Sequence, residues 1–279
     1  MSRQIHCGAV LALALGATGC VINVDADAVT VREEKRFPAG PGTEVTLDTW
    51  DGSIKVESWD RPEVLVEIQK RGADRDEAAA LTVSATQEGN RIRVVAPPPR
   101  EEREFTGIGA GPSLSVSYVV SLPASVKLAA RTGDGSIAVH GIAGTIDLRS
   151  GDGSIRGTRL SGALTARTDD GSIHATGTLE ALDAETGDGS IVIEADEGST
   201  MKDDWSVSTG DGSIVLRVPS DFSAEIDAFS RDGRVRAVGG GLERLREDGG
   251  RESLRGRLGS GGRTVKLRTG DGSIEVVNR

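Results

Sequence analysis

The 279 residues carry 33 Lys and Arg against 43 Asp and Glu, a formal net charge of −10 at pH 7, and aromatic side chains make up only 3% of the chain. An acidic body of this kind argues against nucleic acid as a partner, because phosphate binding needs clustered cations, and so few aromatics argue against a single thick globular core. The only cysteines, Cys7 and Cys20, sit near the N-terminus, so the body has no thiol for a disulfide, a redox centre or a thiolate metal site.

The chain opens with a positive residue, Arg3, and a short apolar run from Ala9 to Ala17. That run is too short to span a bilayer and reads as an export signal over residues 1–19. It ends in Ala17-Thr18-Gly19-Cys20, which resembles the lipobox of bacterial lipoproteins, with Ala17 where that family usually has leucine. The resemblance implies cleavage before Cys20 and acylation of its thiol. Two or three acyl chains would anchor the protein to a lipid bilayer without a transmembrane helix. Val21 directly after the cysteine, rather than aspartate, implies an outer-membrane address. The alternative is an ordinary secretory signal cut nearby. Residues 20–43 then read as a lipidated N-terminus and tether entering a first strand, and the rest, 44–279, as one β-repeat domain.

Residues 44–130 read as atypical capping coils. Alternating runs surround Trp50-Asp51-Gly52-Ser53-Ile54, and further strands are expected at Leu81 to Ala85, Arg91 to Ala96 and Ser113 to Ala129. Asp74 to Leu81 can form one or two helical turns. Pro97 to Pro112 reads as a loop. Its run Gly107-Ile108-Gly109-Ala110-Gly111 opens no helix, so it is no phosphate cradle. Trp59 and Trp205 fall on inward positions, and Trp50 is expected to be exposed.

Residues 131–238 hold the regular repeats. The phrase Thr132-Gly133-Asp134-Gly135-Ser136-Ile137 returns, with single substitutions at most, at Ser150–Ile155, Thr168–Ile173, Thr186–Ile191, Thr209–Ile214 and Thr269–Ile274. Arg231-Asp232-Gly233-Arg234-Val235 is a degenerate copy. From Asp134 to Asp188 the copies recur every 18 residues, and apolar residues fall into columns. One column holds Ile137, Ile155, Ile173 and Ile191, and another Leu148, Ala166, Ala184 and Val207. Alternation with polar residues makes each segment a half-buried strand. The fold class is therefore all-β. Two architectures fit: a β-solenoid of about 18-residue coils with Asp-Gly bends, or an antiparallel β meander with Asp-Gly hairpin turns. Ile142-Ala143 and Leu160-Ser161 make poor hairpin loops and suit the inward corner of a coil, which favours the solenoid. Gly135, Gly153, Gly171, Gly189, Gly212 and Gly272 are then structural turn residues expected to supply a positive φ.

Residues 239–263 read as a loop insertion, in which Leu242, Leu245, Leu254 and Leu258 can form a short amphipathic helix. Residues 264–279 read as the last coil. The phrase, the early Trp50-Asp51-Gly52 with Trp59-Asp60, and Gly259 to Gly262 before Thr269-Gly270-Asp271-Gly272 together resemble a family of bacterial β-strand-repeat domains of adhesin type. That resemblance spans about Glu44 to Val277 and implies a binding surface, with no active-site residues to carry over.

The chemistry-bearing residues are few. His140 and His174 face solvent two coils apart, which makes neither a metal pair nor a catalytic pair, and no Ser-His-acid set is visible. No cofactor is expected. The aspartates Asp134, Asp152, Asp169, Asp170, Asp188 and Asp211 form the one constellation. A calcium ladder would need six to eight oxygens per ion, whereas most bends offer one carboxylate and one hydroxyl, so each aspartate is expected to bond its own turn backbone instead. The reading is an envelope-anchored, non-catalytic binding or structural scaffold whose partner is an envelope protein or glycan. The alternative is a polysaccharide-acting β-helix enzyme, which the irregular outward columns and the missing aromatic rows disfavour.

Overall fold

The computed structural model describes residues 21–25, 28–99, 114–246 and 252–279. The signal segment, Cys20 and most of the Pro97–Pro112 loop lie outside the described residues. In chain order the first elements are β1 (Val21–Asp25), β2 (Ala28–Pro38), β3 (Glu44–Thr49), β4 (Ile54–Trp59), β5 (Glu63–Gly72), α1 (Arg75–Ala80), β6 (Ser84–Glu88) and β7 (Arg91–Ala96). Then follow β8 (Ser115–Pro123), β9 (Ser125–Thr132), β10 (Ile137–His140), β11 (Ala143–Ser150), β12 (Ile155–Thr168), β13 (Ile173–Thr186), β14 (Ile191–Ala195), β15 (Trp205–Thr209) and β16 (Ile214–Val218). The last are β17 (Ala224–Ser230), β18 (Val235–Val238), β19 (Leu242–Arg246), β20 (Ser253–Leu258), β21 (Thr264–Thr269) and β22 (Ile274–Asn278). The class is all-β.

Each repeat contributes one strand before its Asp-Gly bend and one after it. The post-bend strands pair parallel, with Ile137 opposite Ile155, Ile155 opposite Ile173, Ile173 opposite Ile191 and Ile191 opposite Ile214. The pre-bend strands do the same, with Leu148 opposite Ala166 and Ala184 opposite Val207. Parallel pairing of like residues overturns the meander for these repeats, since a meander pairs neighbours antiparallel. The two stacks are one open sheet because β12 and β13 each run through both. Inward side chains of the two stacks form the core, and Ile146, Leu148, Ile155, Ile173 and Ile191 are all at most 2% exposed. One irregularity interrupts the register: an extra residue in β12 between Gly157 and Leu160 is offset in β13 after Leu179. Arg159 in that bulge adopts φ 53°, a conformation that favours glycine.

Spatial order departs from chain order at both ends. β3 lies between β7 and β9, and β4 between β8 and β10. At the other end β21 lies between β15 and β17, and β22 between β16 and β18. The segment expected as the last coil is therefore interior to the stack. Apolar content explains the exchange. Val265, Leu267, Ile274 and Val276 are at most 1% exposed and can be covered on both sides. The degenerate copy at 231–235 and the strand it opens, β18, supply only the half-buried Val235 and Ala237, which suit an end position.

The ends are closed differently from the sequence expectation. The supposed tether contains β1 and β2, an antiparallel pair that continues through β5 into β8. On the other stack β6 closes on β7. The expected helical turns are present as α1, capped by Asp74, whose carboxylate accepts from the Glu77 N–H at 2.8 Å, while Glu77 accepts from the Ala73 N–H at 2.6 Å. Ala78 and Leu81 cover the core there. The expected amphipathic helix in 239–263 is absent from the described residues. Leu242 and Leu245 lie on β19 and Leu254 and Leu258 on β20, an antiparallel pair laid against β17. Leu254 and Leu258 alternate with Arg255 and Arg257, a period of two that the helical reading overlooked.

Candidate functional site

The stacked bends bring every copy of the phrase to one edge of the molecule, and each residue type there has a distinct task. Thr132, Thr168, Thr186, Thr209 and Thr269 point inward and are buried, as is Ser150 in the same column. A buried hydroxyl needs partners, and each finds two kinds. Its oxygen accepts from the N–H of the second glycine of its own bend, at 3.0 Å for Ser150 to Gly153 and 3.3 Å for Thr186 to Gly189. Its O–H donates to the second-glycine carbonyl of the preceding bend in the stack. Those distances are 2.8 Å from Thr132 to Gly52, 2.9 Å from Thr168 to Gly153, 2.7 Å from Thr186 to Gly171 and 2.8 Å from Thr209 to Gly189. One hydroxyl therefore closes its own bend and fastens it to its neighbour. Across the exchanged coils the pattern persists, with Thr269 donating to Gly212 and Ser230 to Gly272, both at 2.7 Å.

The glycines serve this fastening by their lack of a side chain. Gly135, Gly153, Gly171, Gly189, Gly212 and Gly272 do not adopt the left-handed conformation expected of them; Gly52 of the early variant, with φ 124°, does. A Cβ at Gly153 would overlap the Gly135 carbonyl oxygen, one at Gly171 that of Gly153, and so on along the stack. The need is close approach of one bend to the next, not backbone freedom. Backbone bonds reinforce it, with the Gly151 N–H donating to Gly133 at 2.7 Å and the Gly187 N–H to Asp169 at 2.7 Å.

The aspartates are left over. Asp134, Asp152, Asp169, Asp170, Asp188 and Asp211 are exposed, and the bonds that close the bends run from hydroxyls and backbone rather than from their carboxylates. The expected self-capping role thus belongs to threonine. The neighbouring copies put like charges on successive levels. Asp51, level with Asp134 by the pairing of Thr49 with Thr132, has its carboxyl raised above the ordinary 3.8 by burial first and by the Asp134 charge second, with a Gly52 backbone bond opposing. Beside the aspartates runs a line of serines, in which each backbone N–H meets the hydroxyl of the level before: Ser172 to Ser154, Ser190 to Ser172 and Ser213 to Ser190, all 3.3 Å. Among the described residues no group of three or more His, Cys, Asp or Glu is placed to hold a metal ion.

The flanking faces carry ordinary surface electrostatics. His140 lies 2.8 Å from the Thr158 hydroxyl, and His174 stands opposite Arg156 on the next strand, so the two histidines are not brought together. Asp147 lies between Arg131 and Arg149, and Arg167 pairs with Asp183 and Glu185. Lys127 holds the exposed Glu44 carboxyl below its usual range, first by a hydrogen bond and then by charge. Burial pushes the Tyr118 hydroxyl far above its usual range, and that hydroxyl donates to the Asp48 carbonyl at 2.9 Å. Of the tryptophans, Trp205 is fully buried as expected. Trp50 packs against the core rather than standing exposed, and Trp59 is half-buried beneath the Arg61 guanidinium, 5.0 Å from its ring centre.

Three comparisons bear on this arrangement. The family profile described as Toastrack DUF4097 matches residues 124–277. No curated protein matches the sequence. Among solved structures, a candidate cell adhesion protein of Clostridium sporogenes is similar at 12% identity and TM-score 0.41, covering 89% of this chain and 100% of its own. A candidate adhesin of Parabacteroides distasonis aligns at 11% identity and TM-score 0.39, over 88% of this chain and 96% of its own. A candidate lipid-binding protein of the same species aligns at 12% identity and TM-score 0.35, over 89% and 96%.

Proposed function

Because the chain belongs to the Toastrack DUF4097 family, we propose that it is an envelope-anchored lipoprotein whose stacked coils, a β-solenoid of about 18 residues per turn in the regular region, act as a non-catalytic scaffold for binding or structure. One observation carries the reading: the repeated threonines and glycines are consumed within the stack. Threonine hydroxyls fasten adjacent bends and glycines admit their close approach, so the repetition of these two residue types serves architecture. Away from the bend aspartates and serines, what faces outward on the strands differs from level to level, as in the sequence Ala138, Arg156, His174, Val192 on paired positions. A long, stiff support with a varied exterior suits recognition of an envelope protein or glycan. The anchor rests on Cys20 and its lipobox-like setting. No helix among the described residues is long and apolar enough to cross a membrane, and acylation would supply attachment without one.

The test is fractionation of the full chain. Wild type should enter the detergent phase with an acylated N-terminus at Cys20, and Cys20→Ser should leave the membrane fraction or remain unprocessed. A mature N-terminus far from Cys20 carrying no acyl mass would refute the anchor. Crosslinking in the native envelope, with recovery of a reproducible protein or glycan, tests the scaffold role separately.

A further inference from the structure

The two stacks do not end level. Beyond β17 the pre-bend stack continues through β20 and β19. The post-bend stack stops at β18, whose sole strand partner among the described residues is β22. The result is a step, with β18 as its riser. Its inward residues show the missing cover: Val235 and Ala237 are half-buried, while the residues they pair with, Ile274 and Val276, are at most 1% exposed. Val238 is 46% exposed.

The backbone groups of β18 that no strand takes up among the described residues can be assigned. The Ile274 N–H donates to the Arg234 carbonyl at 2.8 Å. In a parallel ladder alternate residues of one strand face the same neighbour, so Arg236 bonds toward β22, and the N–H and C=O of Val235 and Ala237 point away from it. Four strand-forming groups are thus left without a strand partner among the described residues. The side chains around them are basic. Arg231, Arg234 and Arg236 are exposed and Asp232 is the single carboxylate from 231 to 238. From Arg231 to Arg268 the sequence has eleven Lys and Arg against five Asp and Glu, an excess of positive charge in a chain whose formal charge is −10. Arg236 shares Glu275 on β22, with 3.0 Å from its Nε, and keeps much of its surface free, its side chain being 68% exposed.

We propose that β18 is an acceptor edge for one further strand, supplied by a protein partner whose sequence alternates apolar and acidic residues. The backbone of that segment would take up these groups of Val235 and Ala237, and its apolar residues would cover those two side chains. Its acidic residues would lie on the outer face beside Arg236. A second copy of this chain fits less well, since antiparallel pairing centred on Arg236 would set that arginine against its own equivalent. The proposal rests on the scaffold reading for a binding role, and specifies where and what it binds.

The test titrates the isotopically labelled full chain with a capped hexapeptide alternating valine and glutamate, and with its valine–lysine counterpart. The glutamate peptide should shift the amides of Val235 to Val238 before any others, bind at least about tenfold more tightly than the lysine peptide, and weaken as salt is raised past the point where the Debye length falls to a few ångströms. Ala237→Pro removes a donor that β22 does not use, so it should leave the melting transition in place and weaken binding about tenfold. Should that variant fold poorly, Arg236→Glu keeps the backbone and should reverse the preference toward lysine. Equal binding of both peptides, glutamate-peptide binding unaffected by either substitution, or a dimer in sedimentation that either substitution abolishes would each overturn the proposal. Fractionation of Cys20→Ser reports on the anchor whichever way this titration goes.

Discussion

Thr168 offers the sharpest test of how the bends are held. Its hydroxyl donates to the Gly151 carbonyl at 2.7 Å and to that of Gly153 at 2.9 Å, and accepts from the Gly171 N–H at 3.3 Å. Thr168→Val keeps the shape and removes all three bonds. Gly151 retains the Asp169 N–H at 2.8 Å, so two buried groups lose this partner: the Gly171 N–H and the Gly153 carbonyl. Each buried group left unsatisfied costs about 1–3 kcal/mol, and the added methyl returns about 0.8 kcal/mol. The net loss centres on about 3 kcal/mol. Thr168→Ser keeps the hydroxyl and loses a buried methyl, about 1 kcal/mol at most; Ser150 shows that the position accepts it. Urea denaturation followed by circular dichroism measures the difference, and amide exchange localises it, because the Gly171 amide should lose protection in the valine variant ahead of distant strands. If valine and serine destabilise equally, the hydroxyls do not fasten the stack.

Three further outcomes follow from the same edge. Gly171→Ala would drive a methyl into the Gly153 carbonyl and should destabilise by several kcal/mol, or about 2–4 °C of melting temperature per kcal/mol, whereas Gly240→Ala, with nothing within 4 Å, should be near neutral. Asp152→Asn should be neutral or slightly stabilising, since the carboxylate closes no bend and its loss relieves repulsion along the ladder. Melting curves in millimolar calcium and in chelator should superimpose for both proteins, and a calcium-dependent rise in wild type lost in the variant would convert the bends into a metal site. Asp51 predicts a pH effect. Its folded-state carboxyl is raised above 3.8, so ionisation penalises the folded protein in full above that raised value, and the penalty fades as the pH falls from there toward 3.8 and is gone well below it. Asp51→Asn should therefore raise the melting temperature at neutral pH and match wild type well below pH 3.8, and a gap that widens on acidification would reverse the assignment.

Much of the fold was legible because β-structure writes itself in period two. The isoleucines of the phrase, read as one column, are opposite one another in the parallel register, and the poor hairpin chemistry of Ile142-Ala143 and Leu160-Ser161 separated stacked coils from hairpins. The threonines were readable by the same parity: Thr168 falls two residues after the inward Ala166, so its hydroxyl had to be buried and partnered. The aspartate drew attention instead because Asp-Gly is a turn signal in isolation, and an isolated turn has no neighbour to crowd it. Crowding between levels is a tertiary effect, which is why the glycines looked like φ > 0 residues. The exchange of coil order lay beyond local pattern altogether. Alternation shows that a strand has an inner face, but which strand it pairs with is decided by how completely both its edges can be covered.

That exchange bears on how the molecule is assembled. In a simple repeat stack the structure can spread from any nucleus by adding the next unit in sequence. Here β16 waits for β22, with paired serines 60 residues apart in the chain, and β9 receives β3 from 83 residues upstream, the separation spanned by the Lys127–Glu44 bond. Both termini of the repeat array are clasped between levels that belong to other parts of the chain. Zippering from one end would leave slots that only a distant segment can fill, a high-contact-order step with a large loop-closure cost. The finished stack gains in return: its most distal coil at each end is backed by one from elsewhere in the chain, so fraying of the outermost level does not release the chain's last strand.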